Sequence, residues 1–232
     1  MNQAVREHQA VQSVAKAVLD DLGATLRAVD TERTIADRVG DMLAKRGITE
    51  TWYYECPAFV LLGSRSCVSI SGRDYEPADE PIGPFNLVTV DLSPMKLGIW
   101  GDCARSFFVE RGVYVASPSD AAFRRGMEVE RSLHEAMLRY VTPRTTFEQL
   151  HAFSNAEIDS AGFENLDFMG NVGHSIESSR DLRRYIEAGN RAPLGERLLF
   201  TFEPHIRQRG GEWGFKHENI YYFSEEHRAV EL

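Results

Sequence analysis

The spacing of apolar residues, together with one capping box, predicts two helices at the start of the chain and two more in its middle. Apolar side chains recur every three or four positions over residues 11–22, 35–43 and 123–140. A capping box at residues 145–148 predicts that a fourth helix begins there, and it would end at Gly162. Each of these segments is followed by polar residues or by a glycine that would end a helix. A pair of helices is therefore predicted twice.

Runs rich in branched and aromatic residues follow each helix pair and predict strands. They are Thr51–Glu55, Phe59–Leu62, Leu87–Leu92 and Gly98–Val109 after the first pair, and Leu198–Glu203 and Ile220–Phe223 after the second. The order of helix, helix and strands thus occurs twice, and the two halves join near Arg111–Ser119. This order predicts an α+β fold of two similar halves, with a packed antiparallel sheet and the helices outside.

The first of two acidic pairs lies on a predicted hairpin. Asp91 follows an apolar run, and Asp102 lies in the strand after the next turn. If the two strands pair symmetrically about the Lys96–Leu97 bond, Asp91 and Asp102 face each other with Cβ atoms about 5 Å apart. Slippage by one residue would turn the two acids to opposite faces, so this prediction depends on the register.

The second acidic pair lies on a later hairpin. Symmetric pairing about the Gly210–Gly211 turn places Glu203 opposite Glu218. A single acidic residue on a strand is most often solvated, but four carboxylates that face each other on apolar strands need a compensating charge. The two pairs therefore predict one divalent cation, or two that share bridging carboxylates.

His174 would add a nitrogen ligand to the same site. It follows Gly173 in the segment Gly170–Ile176, where a side chain can be aimed without the constraint of a helix or strand. A lone histidine is more often structural. Together with four carboxylates, however, it would complete a mixed oxygen and nitrogen ligand set that suits manganese, cobalt, iron or zinc.

The composition narrows the class of protein further. The chain has 232 residues, of which 43% are hydrophobic, and its formal net charge is -9. An acidic chain without a basic stripe is not expected to bind nucleic acid, and no run approaches the ~18 apolar residues of a membrane span. Its three cysteines form no CxxC pair, which is typical of a reducing compartment and predicts a cytoplasmic protein without a membrane partner.

The candidate ligands lie in a series of short motifs. These are Val90-Asp91-Leu92 followed by Asp102, then Gly173-His174-Ser175-Ile176, Thr201-Phe202-Glu203-Pro204 and His217-Glu218-Asn219. Over about residues 87–223 the series resembles the superfamily of methionine aminopeptidase, prolidase and creatinase. The resemblance implies the pita-bread fold, with residues 1–232 as a single catalytic domain, and a centre of two divalent ions of manganese, cobalt, iron or zinc.

The resemblance also implies a role for each ligand. Asp91 would bind one metal ion, Asp102 and Glu218 would bridge both ions, and His174 and Glu203 would bind the other. A bridging water or hydroxide would be the nucleophile, and Glu203 would take its proton. Arg105 corresponds to the arginine of the family's Asp-x-x-Arg-x-Phe stretch, which makes it an anchor behind the ligands.

The residues expected to handle the substrate depart from the family pattern. Both outer histidines of the peptidases are replaced, by Arg73 or Asp74 and by Asp181, and His205 stands where a glycine is usual. We therefore expect Asp74, Asp181 and His205 to be catalytic residues beside Glu203, with His205 as the candidate for the missing general acid. An ionised aspartate only accepts hydrogen bonds, so this set favours a small amine or guanidine-like substrate over a peptide.

Together these features predict a metal-dependent hydrolase of the aminopeptidase P and creatinase type that cleaves a C–N bond in a small amino-acid-like molecule. The alternatives are a standard Xaa-Pro or methionine aminopeptidase, a metal-dependent lyase or oxidase, and a non-catalytic binding module. All five ligands are present, which disfavours the binding module. The resemblance does not include the long N-terminal domain of prolidase and creatinase relatives, so a second copy of the chain is expected to cover the site in a homodimer.

Overall fold

The computed structural model describes residues 2–232 and shows the order of elements that the sequence predicts. The first half contains α1 (Gln3–Gly23), α2 (Glu32–Lys45), β1 (Glu50–Thr51), β2 (Ala58–Leu62), β3 (Phe85–Leu92), β4 (Pro94–Lys96), β5 (Ile99–Trp100), β6 (Cys103–Glu110) and β7 (Val113–Val115). The second half contains α3 (Ala121–Tyr140), α4 (Phe147–Ser160), β8 (Phe163–Asn165), β9 (Phe200–Phe202), β10 (His205–Gln208), β11 (Gly214–Lys216), β12 (Asn219–Phe223) and β13 (Ala229–Glu231). The predicted repetition of helix, helix and strands is confirmed.

Local capping explains where the helices begin. The Thr31 side chain accepts the backbone N–H of Thr34 at the start of α2, and Thr146 does the same for Gln149 at the start of α4. Asp120 accepts two backbone N–H groups at the start of α3. Each helix buries one apolar face against the strands of its own half. Within residues 2–232 no helix is both long enough and apolar enough to cross a membrane.

Within residues 2–232 every strand pair is antiparallel, and the strands form four small sheets. Their orders are β2-β3-β6-β7, β1-β4-β5, β11-β10-β8 and β13-β12-β9. The core of the first half packs α1 and α2 against β2, β3 and β6, whereas the core of the second half packs α3 and α4 against aromatic residues such as Phe200 and Phe202. The sheets therefore lie inside and the helices outside.

The register of the first hairpin differs from the predicted one by two residues. Asp91 of β3 lies opposite Ala104 of β6, and not opposite Asp102. The turn is centred on Leu97 and Gly98, whose φ angles are 53° and 78°. Two central residues with positive φ form the type I′ turn, which matches the twist of the flanking strands. A shift of two residues preserves the face on which a side chain lies, so Asp91 and Asp102 remain on one face, as diagonal neighbours.

The register of the second hairpin is confirmed. Phe202 pairs with Asn219 between β9 and β12, and His205 pairs with Lys216 between β10 and β11. Both ladders, continued inward, place Glu203 opposite Glu218. The strands are interrupted there by Pro204, which has no N–H to donate. Glu218 instead forms a bridge with Ala104 of β6, which joins the two halves.

The predicted strand at Thr51–Glu55 is mostly a turn. Only Thr51 belongs to a strand, and the Cys56 N–H donates to the Tyr53 carbonyl over 2.8 Å. Tyr54 and Glu55 both have positive φ, 46° and 57°, a conformation that residues other than glycine adopt at a cost of about 1 kcal/mol or more. Aromatic residues are typical of strands, so the sequence pattern indicates a strand where the chain in fact turns.

Candidate metal centre

The backbone around Asp102 is fixed by α1. Gln12, which is fully buried, donates from Nε2 to the Asp102 carbonyl over 2.7 Å and accepts the Asp102 N–H through Oε1 at 2.8 Å. These two hydrogen bonds satisfy the Asp102 peptide groups. The side chain of Asp102 is therefore held in place although the residue precedes β6.

The backbone around Glu218 is fixed by β6. The Glu218 N–H donates to the Ala104 carbonyl over 3.0 Å, and Arg105 donates from Nη1 to the Glu218 carbonyl over 2.7 Å. Arg105 also donates from Nη2 to Asn219 Oδ1 over 2.8 Å. The arginine thus holds the peptide that carries Glu218, in agreement with its predicted role as an anchor.

His174 is oriented with one ring nitrogen free. Nδ1 lies 2.9 Å from the Ser175 carbonyl, so it carries the proton and donates, which leaves a lone pair on Nε2. The backbone is held by Thr201, whose hydroxyl accepts the His174 N–H at 3.0 Å. Gly173 is required before it, because a Cβ there would lie 2.3 Å from the Thr201 carbonyl oxygen.

The five predicted ligands come together as two groups that share one residue. Asp102, His174 and Glu218 offer ligand atoms within 4.8 Å of one another, and so do Asp91, Glu203 and Glu218. We call these the first and the second ligand group. The first group is buried, whereas the side chains of Asp91 and Glu203 each keep 22% of their surface exposed.

The first ligand group fits a cation. Nε2 of His174 lies 3.4 Å from Asp102 Oδ2 and 3.7 Å from Glu203 Oε1, so a lone pair faces carboxylate oxygens. Among residues 2–232, Asp102 Oδ2 and both carboxylate oxygens of Glu218 are buried without a hydrogen-bond partner. Buried acceptors that face each other cost free energy unless a positive charge lies between them.

The pKa shifts of these groups agree with a cation site in the first ligand group. Burial, together with the charges of Asp91 and Glu203, raises the pKa of Asp102, and burial and the charge of Asp102 raise the pKa of Glu218. Burial, together with the charge of Arg183, lowers the pKa of His174 to about 3. A neutral imidazole nitrogen beside carboxylates is a ligand set for a divalent cation.

The second ligand group already contains a cation of the protein. Lys216 Nζ lies 2.5 Å from Asp91 Oδ2 and 3.1 Å from Glu203 Oε2. Although burial opposes the charge of Lys216, Asp91 and Glu203 raise its pKa well above the usual value. The ammonium group therefore stays charged and offsets the two carboxylates.

A cavity of about 420 Å³ opens beside the two ligand groups. Besides four of the ligands, its wall includes Trp52, Tyr53, Tyr54, Arg183, Tyr185, His205 and Lys216. Asp74 and Asp181 are not brought into it. Asp74 is exposed on a turn, and the side chain of Asp181 is 83% exposed beside Arg180. The expected preference for a small amine or guanidine-like substrate depended on these two aspartates. A cationic substrate in the cavity would not meet them.

His205 does lie in the cavity wall, but its proton is already engaged. Its Nε2 lies 2.6 Å from the Ser66 carbonyl, to which it donates. Burial and the charge of Lys216 lower the pKa of His205 to about 4, so the ring is neutral near pH 7. A neutral imidazole whose single proton is hydrogen-bonded to a buried carbonyl is poorly placed to protonate a leaving group.

Two basic residues of the cavity wall, Lys216 and Arg183, are absent from the sequence-based set. Lys216 ends β11 and lies two positions before Glu218 in extended chain, so the alternation of faces could have found it. Arg183 lies between short turns without any periodic pattern, and nothing in the sequence places its side chain in the cavity. Strand residues are predictable from alternation, and loop residues are not.

Two similar halves around a centre of carboxylates and one histidine define a pita-bread metalloprotein. The chain belongs to Metallopeptidase family M24, whose sequence profile matches residues 6–225. The predicted superfamily is thereby confirmed.

Individual relatives are distant. Methionine aminopeptidase A of Synechocystis sp. is 27% identical over 130 residues, which are 55% of this chain and 48% of that protein. The probable dipeptidase PepE of Mycobacterium bovis is 24% identical over 196 residues, 84% of this chain and 48% of that protein. The chain thus spans about half the length of these curated relatives. The crystal structure of prolidase from Thermococcus sibiricus superposes with a TM-score of 0.79 at 19% identity, over 98% of this chain and 57% of that one, which shows the fold alone.

Proposed function

We propose that this protein is a hydrolase with two divalent metal ions that cleaves a C–N bond in a small amino-acid-like substrate. The observation that carries the proposal is the pair of ligand groups that share Glu218, with three buried carboxylate oxygens that lack a partner among residues 2–232. One ion would be held by the first ligand group and one by the second. Manganese, cobalt, iron and zinc all suit this set of ligands.

Within this proposal the residues of the chain have separate tasks. Divalent ions, when bound, supply Lewis-acid activation of water and of the scissile carbonyl. Glu203 lies at the cavity wall between His174 and Lys216, where it would accept the proton of the attacking water. Gln12 and Arg105 fix the peptides of two ligands, so that the ligand geometry does not relax when a substrate enters.

The protein is proposed to be a poor Xaa-Pro or methionine aminopeptidase. In the peptidases that it resembles, outer histidines stand where this chain has Arg73 or Asp74 and Asp181. All three residues lie outside the cavity. His205 is neutral and donates to Ser66, so it does not replace those histidines. Loss of a positioned general acid typically lowers the rate by about 10²–10⁴-fold.

Metal content and turnover test the proposal together. We expect two ions per chain by elemental analysis after reconstitution, and a melting temperature that falls with chelator, since ligand at 100 times Kd contributes about 2.7 kcal/mol to the free energy of unfolding. Amine release should be measured for Xaa-Pro and methionyl peptides, amino-acid amides and N-acyl amino acids. We expect the last two classes to be preferred.

A matched variant separates chemistry from metal binding. Glu203→Gln should abolish amine release while at least one ion is retained, because the first ligand group keeps Asp102, His174 and Glu218. Identical melts with and without chelator, or no uptake of metal, would refute the proposed centre. Peptide turnover equal to that of an ordinary family member would refute the proposed specificity.

The predicted homodimer, the cytoplasmic location and the absence of a nucleic-acid or membrane partner stay predictions. Light scattering at several concentrations of the purified protein tests the first of these. A protein that stays monomeric while it is active would contradict the expectation that a second copy covers the site.

A further inference from the structure

One part of the cavity wall holds hydrogen-bond acceptors that belong to neither ligand group. Asp167, Asn171 and His205 all line the cavity, and none of them offers an atom to the first or the second ligand group. Ions bound by the two ligand groups would therefore leave these three side chains unsatisfied. We call the three residues the acceptor wall.

The acceptor wall is formed where a loop closes over the start of β10. Both ends of residues 166–172 are hydrogen-bonded to residues 203–205. The Leu166 N–H donates to the His205 carbonyl over 2.7 Å, and the Val172 carbonyl accepts a backbone N–H at 2.9 Å. The loop between these two hydrogen bonds carries the other two members of the acceptor wall, so all three side chains lie in one part of the cavity wall.

Asp167 keeps one carboxylate oxygen without a partner. Its Oδ1 accepts the backbone N–H groups of Met169 and Asn171, both at 2.9 Å, whereas Oδ2 has no donor within residues 2–232. The ammonium of Lys216, in the same wall, is held by the second ligand group. Burial raises the pKa of Asp167, and the two backbone N–H groups only partly oppose this. The carboxylate therefore lacks a compensating positive charge.

The other two members of the acceptor wall also lack donors. Asn171 Oδ1 is buried without a hydrogen-bond partner within residues 2–232. His205 donates from Nε2 to the Ser66 carbonyl over 2.6 Å, so Nε2 carries the proton and the lone pair is on Nδ1. No donor from the described part of the chain reaches that Nδ1. Buried acceptors without a donor cost free energy, so the acceptor wall is suited to a ligand that donates hydrogen bonds.

Asn165 fixes the loop that carries Asp167 and Asn171. Its Nδ2 donates to the carbonyls of Gly170 and Asn171 over 3.0 and 3.1 Å, and its Oδ1 accepts the Asp167 N–H at 3.0 Å. The loop is thus tied from within at both ends. The acceptors are held in place before a ligand arrives, which lowers the entropy that binding costs.

We infer that the acceptor wall binds an ammonium group in the side chain of the substrate. This inference rests on the proposed function and narrows its substrate class to amides of amino acids with a basic side chain. A primary ammonium group has three N–H donors and one positive charge, which match three acceptors and one uncompensated carboxylate. Asp167, and not Asp74 or Asp181, would then give the site its preference for an amine.

Pairs of free amino acids that differ in the side-chain ammonium test this inference. L-Lysine against L-norleucine, and L-ornithine against L-norvaline, should be titrated calorimetrically into the manganese-loaded protein. Each pair shares its α-amino and carboxyl groups, so direct binding to manganese is the same within a pair, and no amide is present to be hydrolysed. In at least one pair we expect the basic amino acid to bind at least tenfold more tightly, since a hydrogen bond to a charged group contributes roughly 10–100-fold in affinity.

Asp167→Asn is the main variant, because asparagine keeps an oxygen for the two backbone N–H groups and removes the charge. It should reduce the preference for the basic amino acid to about twofold or less, since the charge-assisted hydrogen bond is lost. Elemental analysis should show that both ions are retained. Asp37→Asn is the matched control, because it removes the same charge from an exposed residue, and it should leave the preference unchanged.

Asn171→Ala is the second variant. The Asn171 side chain makes no hydrogen bond within residues 2–232, so its removal breaks no hydrogen bond of the fold. The preference for the basic amino acid should fall by about threefold or more, which is the contribution of one hydrogen bond to a neutral acceptor. If Asp167→Asn melts early or loses metal, this variant decides.

The outcomes separate this inference from the proposed function. No preference for the basic amino acids in the wild type, or a preference that survives the deciding variant in a folded and metal-loaded protein, overturns the role of the acceptor wall. The proposed hydrolase would then still stand if amino-acid amides are cleaved. A preference that depends on the acceptor wall supports its role, even where no panel compound is hydrolysed, in which case the proposed hydrolase activity fails alone.

Discussion

The two ligand groups differ in how their negative charge is compensated. In the first group, Asp102 and Glu218 are buried with carboxylate oxygens that lack partners among residues 2–232, and His174 adds a lone pair. In the second group, Asp91 and Glu203 are partly exposed and share the ammonium of Lys216. The first group thus depends wholly on an added cation, whereas the second does not.

This difference teaches that the two metal positions are unequal although they share Glu218. An ion in the first group replaces repulsion between buried acceptors by attraction, which is a large gain. An ion in the second group must share its carboxylates with Lys216. We therefore expect the first group to fill at lower metal concentration.

The largest expected effect comes from loss of a ligand in the first group. Asp102→Asn should weaken binding of the ion in the first group, and Glu218→Gln should weaken binding of both ions, in each case by more than about 100-fold and with loss of turnover, since even residues that only support a ligand contribute 10–100-fold. Asp91→Asn should lose only one ion. Elemental analysis after dialysis checks this, with the exposed Asp37→Asn as control. Equal losses from Asp91→Asn and Glu218→Gln would contradict the sharing of Glu218 by the two groups.

Removal of Lys216 tests the second group. Lys216→Met should tighten the second ion by about tenfold or more, because Asp91 and Glu203 lose the positive charge that competes with it. Calorimetric titration with manganese gives the two affinities. Lys96→Met, which removes an exposed charge, should leave both unchanged. A weaker second ion would instead mean that Lys216 holds Asp91 in place for the metal.

A smaller effect concerns the neutral histidines near Glu218. His134 donates from Nε2 to the His217 carbonyl over 3.1 Å and accepts from Tyr221 at Nδ1, and burial lowers its pKa to about 3. Below pH 6.5 the unfolded chain binds a proton at His134 that the folded protein does not, so folding loses up to about 1.4 kcal/mol per pH unit.

The stability gap between wild type and His134→Gln measures this loss. This difference in the free energy of unfolding should be greatest above pH 6.5 and should shrink as the pH falls toward 4. The reason is that only the wild type has a buried imidazole at position 134, which stays unprotonated in the folded protein. Urea unfolding of the chelated proteins at pH 7, 6 and 5 gives the gap directly. A gap independent of pH would show that His134 is charged in the folded protein, and the first group would then have a cation nearby.

The smallest effect is expected at the two aspartates outside the cavity. Asp74→Ala and Asp181→Ala should change metal content and kcat/KM by less than about twofold, since exposed residues without buried contacts rarely contribute more than 0.5 kcal/mol. Amine release from the preferred amide checks this. A loss of tenfold or more, with metal retained, would support the sequence-based prediction that they act in catalysis.

The sequence predicts most of the fold, and it identifies the five residues that the structure brings together in the two ligand groups. The reasons are local. Apolar periodicity identifies three helices and a capping box the fourth, and symmetric pairing about the Gly210–Gly211 turn predicts that Glu203 lies opposite Glu218. The first hairpin is two residues off because the turn at Leu97–Gly98 needs two positive φ angles, and Leu97 gives little sign of this. A shift of two residues leaves Asp91 and Asp102 on the same face of the sheet, so the two acids remain neighbours despite the wrong register.

The cavity wall is what the sequence does not predict. Trp52 and Tyr54 belong to a run that is typical of a strand, yet the chain turns there. Arg183 reaches the cavity through contacts with three rings, of which Trp52 and Tyr53 come from one distant segment of the chain. Such contacts depend on how loops fold over the sheets, and no short-range pattern in the chain encodes them.

The bridge between Ala104 and Glu218 has a consequence for the time course of folding. The bridge connects the two halves of the chain. The ligands are divided between the same halves, with Asp91 and Asp102 in the first and His174, Glu203 and Glu218 in the second. Contacts between residues so far apart in sequence form late, because the entropy of closing the intervening loop must be overcome first. A refolding chain therefore gains its metal-binding capacity only when the two halves dock. An ion bound by ligands from both halves then slows the separation of the halves.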